Sequence, residues 1–242
     1  MTITNAHTGT RIDEVGDGIF RIHTAVKDVP GGFSFNQYLV VDEQPLLFHT
    51  GPRAMSGLVA EAIAAVMPPE RLRWIGFSHV EADECGGLNA LLAIAPEAQP
   101  LCSRIAAMVS VADLADRAPR PLGDGETLTI GRRTVTWVDA PHVPHGWENG
   151  YLYESTTQTL FCGDLFTQPG AEHAPLVETD ILGPSEAFRA QLDYYAHGAR
   201  TRASLERLAG LGATTLACMH GAAWRGDSSA LLGALADALG AS

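Results

Sequence analysis

Basic residues are scarce in this chain, cysteines are few, and no long apolar run occurs. Each shortage removes a class of protein. Lys and Arg number 16 against 28 Asp and Glu, for a formal net charge of −12 over 242 residues. A field of that sign repels phosphate backbones and anionic headgroups, which excludes nucleic acid and the membrane surface as partners. A bound metal pair would cancel part of it locally. No stretch nears the roughly 20 apolar residues that span a bilayer. The opening Met1-Thr2-Ile3-Thr4-Asn5-Ala6-His7 lacks the basic and apolar regions of a secretion signal, so the expected location is cytoplasmic. Cys85, Cys102, Cys162 and Cys218 lie far apart with no C-x-x-C pair. That argues against a thiolate zinc knot or a disulfide framework, and the four read as buried reduced thiols. Also missing are a G-x-S-x-G elbow, a Walker loop and a dinucleotide fingerprint.

What is present is an ordinary globular composition, 46% hydrophobic, sufficient for a sizeable core. No linker or solenoid repeat interrupts it, so residues 1–242 read as one domain. Strands are expected at Gly18–Thr24, Asn36–Asp42 and Pro45–His49, with turn-prone residues between them. In Arg53–Met67 the apolar residues Met55, Leu58, Val59, Ala62, Ile63 and Val66 follow helical spacing, and Pro68-Pro69 stop the helix. A short strand, Trp74–Phe77, follows, then a helix over Gly86–Ile94 and a strand over Gln99–Cys102. Further strands are expected at Thr127–Ile130, Thr134–Val138, Tyr151–Glu154 and Thr159–Cys162. Ser185–Leu211 reads as mostly helical with Gly198 as a weak point, Ala213–Cys218 as a strand, and Ser228–Leu239 as a closing helix behind Asp227. This order fits mixed sheets covered by helices better than a strictly alternating parallel sheet.

The most informative stretch is Ser78-His79-Val80-Glu81-Ala82-Asp83-Glu84-Cys85-Gly86-Gly87, a loop between a strand's carboxyl end and a helix, where α/β sheets place ligands. If it is extended, residues at i, i+2 and i+4 face one side, so His79, Glu81 and Asp83 converge while Val80 and Ala82 face away. So many acids in so few residues repel one another unless a cation sits among them. Taken alone, the string reads equally well as a solvated acidic loop with an incidental His. Three later strand ends also deliver ligand-type residues: His142 and His145 after Val138, Asp164 after Cys162, and His220 after Cys218.

H-x-H-x-D-H followed by His, Asp and His is the ligand order of the metallo-β-lactamase superfamily. With Glu81 in place of the second His, the chain resembles the diiron core of the flavodiiron proteins and the related oxygen-binding diiron proteins. Their H-x-E-x-D-H motif is matched here except at Glu84, and His145 and Asp164 keep the family's separation of 19 positions. The opening Gly31-Gly-Phe-Ser-Phe-Asn-Gln-Tyr-Leu-Val is also similar to the family's early strand. The resemblance covers essentially the whole chain and implies an α/β fold, a four-layer αββα sandwich of two mixed sheets.

Carried over by position, it implies one metal held by His79, Glu81 and His145 and a second by Asp83 and His220, with Asp164 bridging. Imidazole and carboxylate without sulfur suit iron, manganese or zinc, and the extra carboxylate favours iron. Glu84, where the family has His, adds either a carboxylate ligand or leaves a water. His142 competes with His145 for the middle position, and spacing favours His145. His49 stands where the superfamily commonly has a supporting Asp, and His173 where flavodiiron proteins often keep a His near the pocket. His7, His23, His197 and Cys85 read as structural.

Two functions follow. One is a non-haem diiron protein that binds or reduces O2 or NO. Flavodiiron enzymes draw electrons from FMN in an attached flavodoxin domain. With none expected within 242 residues, either a separate redox partner supplies electrons or the protein senses O2 without turnover. The resemblance also implies a homodimer. The alternative is a binuclear zinc hydrolase acting on an ester, thioester, lactone or phosphoester through a metal-activated water. Against it, Glu81 lowers the Lewis acidity of the first metal. The sequence thus leaves open whether this is an enzyme, a diiron oxidoreductase or a metallohydrolase.

Overall fold

The first sheet has eight strands that are neighbours in chain order, with β-branched and aromatic residues concentrated in the third and fourth. They are β1 (Thr2–Asn5), β2 (Thr10–Gly16), β3 (Ile19–Val26), β4 (Phe33–Val40), β5 (Leu46–Phe48), β6 (Trp74–Gly76), β7 (Gln99–Ser103) and β8 (Arg120–Leu122). The computed structural model describes residues 2–240. Residues 1, 241 and 242, the ends of the expected 1–242 domain, lie outside the described residues.

From β1 to β5 the pairing is antiparallel; from β5 to β8 it is parallel. Parallel neighbours need crossovers, and helices fill them. α1 (Ser56–Ala64) joins β5 to β6, and α2 (Ala82–Cys85) with α3 (Leu88–Ile94) joins β6 to β7. Between β7 and β8 run α4 (Arg104–Ala106), a π-helical turn (Ala107–Val111) and α5 (Ala112–Leu114).

The second sheet has seven strands: β9 (Thr127–Thr129), β10 (Thr134–Asp139), β11 (Gly150–Glu154), β12 (Thr159–Phe161), β13 (Leu176–Val177), β14 (Thr215–Ala217) and β15 (Ala223–Arg225). Their order is β13-β15-β14-β12-β11-β10-β9. Parallel pairs β12·β14 and β13·β15 interrupt an otherwise antiparallel ladder. α6 (Leu182–Arg189), α7 (Thr201–Ala209) and α8 (Ser228–Gly240) complete the chain.

Short apolar strands are buried on both faces, and alternation sends neighbouring residues to different cores. In β5, Leu46 and Phe48 enter the core between the sheets, whereas Leu47 packs under the helices of the first half. In β12, Phe161 lies between the sheets and Leu160 under the later helices. The inter-sheet core is centred on Tyr38, Phe48, Trp137 and Phe161, all fully buried. The result is the helix–sheet–sheet–helix stack of the metallo-β-lactamase fold, with two mixed sheets, as expected. No helix among the described residues is long and apolar enough to cross a membrane.

Three local expectations change. The helix expected over Arg53–Met67 shortens to a 3-10 turn (Arg53–Met55) followed by α1. The expected helix over Ser185–Leu211 is two helices, because the backbone leaves the helix after Leu192: Ala196 N–H donates to Pro144 O at 2.7 Å. Gly198 lies in that gap, as its conformational freedom suggested. Finally, β1, β2 and β8 carry too few apolar residues, and β13 and β15 are too short, to be read from pattern alone.

Candidate metal centre

β6 runs out at Gly76, and the chain does not stay extended. It bends through Ser78–Val80, and Ala82–Cys85 is helical. The i, i+2, i+4 argument is therefore corrected: His79 lies in the bend, Glu81 is the extended residue preceding α2, and Asp83 sits in its first turn. The Glu81 carboxylate makes no capping bond to the helix, which leaves it free to face His79.

The second sheet pins this bend from the other side. Gly150 N–H donates to Ser78 O at 3.0 Å, and Val80 N–H donates to Glu148 Oε1 at 3.0 Å. His145 comes from the loop after β10, a loop held by Asn149 Nδ2 donating to Val143 O at 2.6 Å. Two glycines permit the close approach. Gly146 (φ 71°) would place a Cβ 3.1 Å from that of His79, and Gly163 (φ 49°) one 3.0 Å from Ser78 Oγ. Both φ values also favour glycine. Asp164 follows Gly163 at the end of β12. His220 follows β14, and its turn is fastened to the first sheet by Asn36 Nδ2, which donates to the carbonyls of Cys218 and Gly221 at 2.9 and 2.8 Å.

These loops bring all six expected residues to one place. Glu81 Oε2 lies 2.8 Å from His79 Nε2 and 3.0 Å from His145 Nε2. Asp164 presents a different oxygen to each side: Oδ2 is 3.4 Å from His145 Nε2 and 3.8 Å from His79 Nε2, while Oδ1 is 3.2 Å from His220 Nε2. Asp83 Oδ2 is 3.5 Å from His220 Nε2. Potential donor atoms of His79, Glu81, His145 and Asp164 all fall within 4.8 Å of one another.

Each imidazole is aimed by its other nitrogen. His145 Nδ1 donates to Tyr194 O and His220 Nδ1 to Ser34 O, both at 2.8 Å, and His79 Nδ1 contacts Ser78 Oγ at 3.0 Å. A carbonyl can only accept, so the proton of a neutral His145 or His220 sits on Nδ1. The Nε2 lone pair is then free to face the centre, the arrangement usual for metal-binding histidines.

Burial would lower His79, but the hydrogen bond to Glu81 and the charges of Glu84, Asp164 and Glu81 outweigh it and raise it to about 10. His220 behaves alike: burial opposes, Asp164 and Asp83 prevail, and it reaches about 10. His145 is raised chiefly by its hydrogen bond to Glu81. Glu81 is pushed down by its hydrogen bonds to His145 and His79. Asp164, despite burial, is held at about 2 by His220 and the other two imidazoles.

Without a metal, protons take the cation's place. The buried Asp164 Oδ1, close to His220 but without a partner in hydrogen-bond alignment, points the same way: both atoms are placed to share a third centre. The residues thus fit a pair of hard cations.

A pH dependence follows. His79 and His220, raised above the unfolded value of about 6.5, contribute stability that is complete below that value and lost as pH climbs through about 10. The depressed Asp164 contributes above the unfolded value of about 4 and loses that contribution toward pH 2. Melts of the metal-free protein should therefore fall in temperature between about pH 7 and 10. A rise over that range would contradict the pairing described.

The ODP family beta lactamase model matches residues 33–221, a span that contains every one of these donors. The chain belongs to the ODP family. Its relatives and structural neighbours are flavodiiron protein cores. It is 29% identical to the rubredoxin-oxygen oxidoreductase of Megalodesulfovibrio gigas over 81% of this chain and 50% of that one. It is 23% identical to a nitric oxide reductase of Moorella thermoacetica over 85% of this chain and 53% of that one. It therefore spans about half the length of these curated relatives. The metal-soaked Flv1 flavodiiron core of Synechocystis shares the fold, with a TM-score of 0.84 at 21% identity over 96% of this chain and 61% of that one.

Around this ODP-family cluster the other candidates fall in distinct places. Glu84 and His49 meet each other in the interior. His142 is exposed, left-handed (φ 65°), and its N–H donates to Gly146 O. His173 Nε2 bonds Gly170 O at 3.1 Å and its ring packs near His23. His23 is buried beside Arg21 and Asn36, and His197 pairs with Asp193 at 2.6 Å. Burial pushes the Cys85 thiol up to about 12, so no reactive thiolate forms there. His142→Ala is accordingly expected to leave metal content and melting temperature unchanged, as elemental analysis and a thermal melt would check.

Sequence reasoning missed the walls. Phe33 and Phe35 pack on the His220 ring at 4.4 and 5.4 Å. With Thr167, Phe188, Leu192 and Tyr194, Phe33 also lines a cavity of about 150 Å³ over the donors. Only Phe33 and Phe35 carried a signal, in the stretch that resembles the family's early strand; the strand expected from pattern began at Asn36, and the observed one begins at Phe33.

Proposed function

We propose that this ODP-family chain is a non-haem diiron protein that binds or reduces O2 or NO. The observation that carries the reading is an anionic donor set under a small, largely apolar pocket. His79, Glu81 and His145 would hold one iron, Asp83 and His220 the other, with Asp164 between them. Three carboxylates with three imidazoles and no sulfur favour a hard metal such as iron. Bound iron would supply the electron-transfer chemistry that the side chains lack.

The chain's own residues do the rest. Ser34, Ser78 and Tyr194 orient the three imidazoles, and Phe33, Phe188 and Leu192 limit water above them. A cavity of about 150 Å³ is below the roughly 300–1,000 Å³ usual for larger organic ligands and suits a diatomic. Across Phe33, Phe188 and Leu192 lies a second cavity of about 530 Å³, bordered by Val26, Val29 and Phe35. None of the six donors lines it.

The names of the relatives, an oxygen oxidoreductase that uses rubredoxin and a nitric oxide reductase, support the same direction. The same reading takes residues 1–242 as one domain that receives electrons from a redox partner and pairs with a second copy. The first test is the metal content of untagged protein from cells grown without added metal. About two irons per chain, with a near-ultraviolet band that changes when O2 or NO meets the reduced protein, is the expected result. Sustained O2 consumption with a chemical reductant would mark a catalyst, and reversible binding alone a sensor. Two zincs and no response to either gas would overturn the proposal and direct attention to esterase, thioesterase and lactonase assays.

A further inference from the structure

One pair of ionisable residues lies against the centre without a place in the ligand assignment. His49 and Glu84 are both fully buried, and His49 Nε2 contacts Glu84 Oε2. The other carboxylate oxygen, Oε1, lies 3.8 Å from His79 Nδ1. That nitrogen is on the edge of the ring away from Nε2, which faces Glu81. Glu84 Oε1 therefore sits behind His79 while Oε2 is turned to His49, and Glu84 is not among the residues lining the metal pocket.

The arrangement is braced. Thr50 N–H donates to Glu84 O at 2.8 Å, and Gly87 N–H donates to Gly51 O at 3.0 Å and to Thr50 Oγ1 at 3.0 Å. The loop carrying His49 and the helix carrying Glu84 are thus tied by their backbones. His49 itself is left-handed (φ 68°), a costly conformation for a non-glycine residue, which persists only where the surroundings over-determine it.

We propose that the buried His49–Glu84 contact withholds Glu84 from the second metal position and so makes the two positions unequal. This rests on the diiron reading above. At the first position His79, Glu81, His145 and Asp164 close to within 4.8 Å, the one such group among the described residues. At the second, only Asp83 and His220 add to the shared Asp164. A divalent first-row cation at the second position has fewer protein donors, binds more weakly, and keeps more positions for water or a small exogenous ligand. The first position fills first.

The experiment is an anaerobic titration of the metal-free, full-length protein with Co(II), followed by calorimetry and by the visible bands that report coordination number. Two classes of site are expected, separated by at least about tenfold. Glu81→Ala should remove the tight class and Asp83→Ala the weak one. A double variant, His49→Asp with Glu84→His, supplies an imidazole beside the second position while keeping a buried acid–base pair, and it should narrow the separation. Two ions bound with equal affinity by the wild-type protein would overturn this inference and leave the diiron reading standing. An unchanged separation in a folded double variant would also overturn it. No Co(II) binding at all would overturn both. The wild-type titration stands whether or not the variants fold.

Discussion

His145→Ala is expected to weaken metal binding at the first position by more than about 100-fold while the chain stays folded. Loss of a partner that merely orients a ligand costs about 10–100-fold, and His145 is assigned as the ligand itself. Its Nε2 lies 3.0 Å from Glu81 Oε2 and 3.4 Å from Asp164 Oδ2, so removal opens one whole side of the site. The fold should tolerate the change because His145 is partly exposed and its loop is held by Asn149 and by Ala196 N–H donating to Pro144 O. Glu81→Ala should act similarly, since the Glu81 side chain is about half exposed (52%) and fills no core. Metal content after gel filtration, with circular dichroism as the control for folding, checks both. Full metal retention in either variant would refute the ligand assignment.

Trp137→Ala is expected to destabilise the protein by about 3–5 kcal/mol, a fall in melting temperature of roughly 6–20 °C for a chain of this size. Trp137 is fully buried between the sheets, and its Nε1 donates to Asp139 Oδ1 at 2.6 Å. The neighbouring strand is shaped to it: a Cβ at Gly150 would lie 2.4 Å from the indole. Because Gly150 also holds Ser78 O, the cavity should reach the metal loop. Melts of metal-free and metal-loaded variants measure this, and a loss below about 1 kcal/mol, which is small for a cavity of this kind, would mean that the two sheets close up over the gap.

Much of the site was legible because its parts share one signal, an apolar strand ending in a ligand-type residue. β6, β12 and β14 each do this, and the sheets deliver their ends to one edge. The details that failed are those set by distant partners. Nothing local to Val80–Glu84 announces a bend and a helix, because the bend is enforced by Glu148 and Gly150 from the other sheet. His49 and Glu84 both stood out as candidates beside the centre, but they are far apart in sequence and nothing local says that they meet each other. The break at 190–200 was muted in the sequence, since only Gly198 hints that the backbone leaves the helix. Edge strands such as β8, Arg-Pro-Leu, were invisible because Pro and Arg disguise their pairing.

The donors are divided between the two halves of the chain: His79, Glu81 and Asp83 belong to the first sheet's connections, His145, Asp164 and His220 to the second's. Neither half owns a complete site. A cation bound there acts as a rivet through both leaves of the sandwich, adding stability in proportion to the logarithm of free metal over its dissociation constant. Starvation for metal would loosen the seam between the leaves first, and the protein's lifetime in a cell would become a gauge of its metal supply.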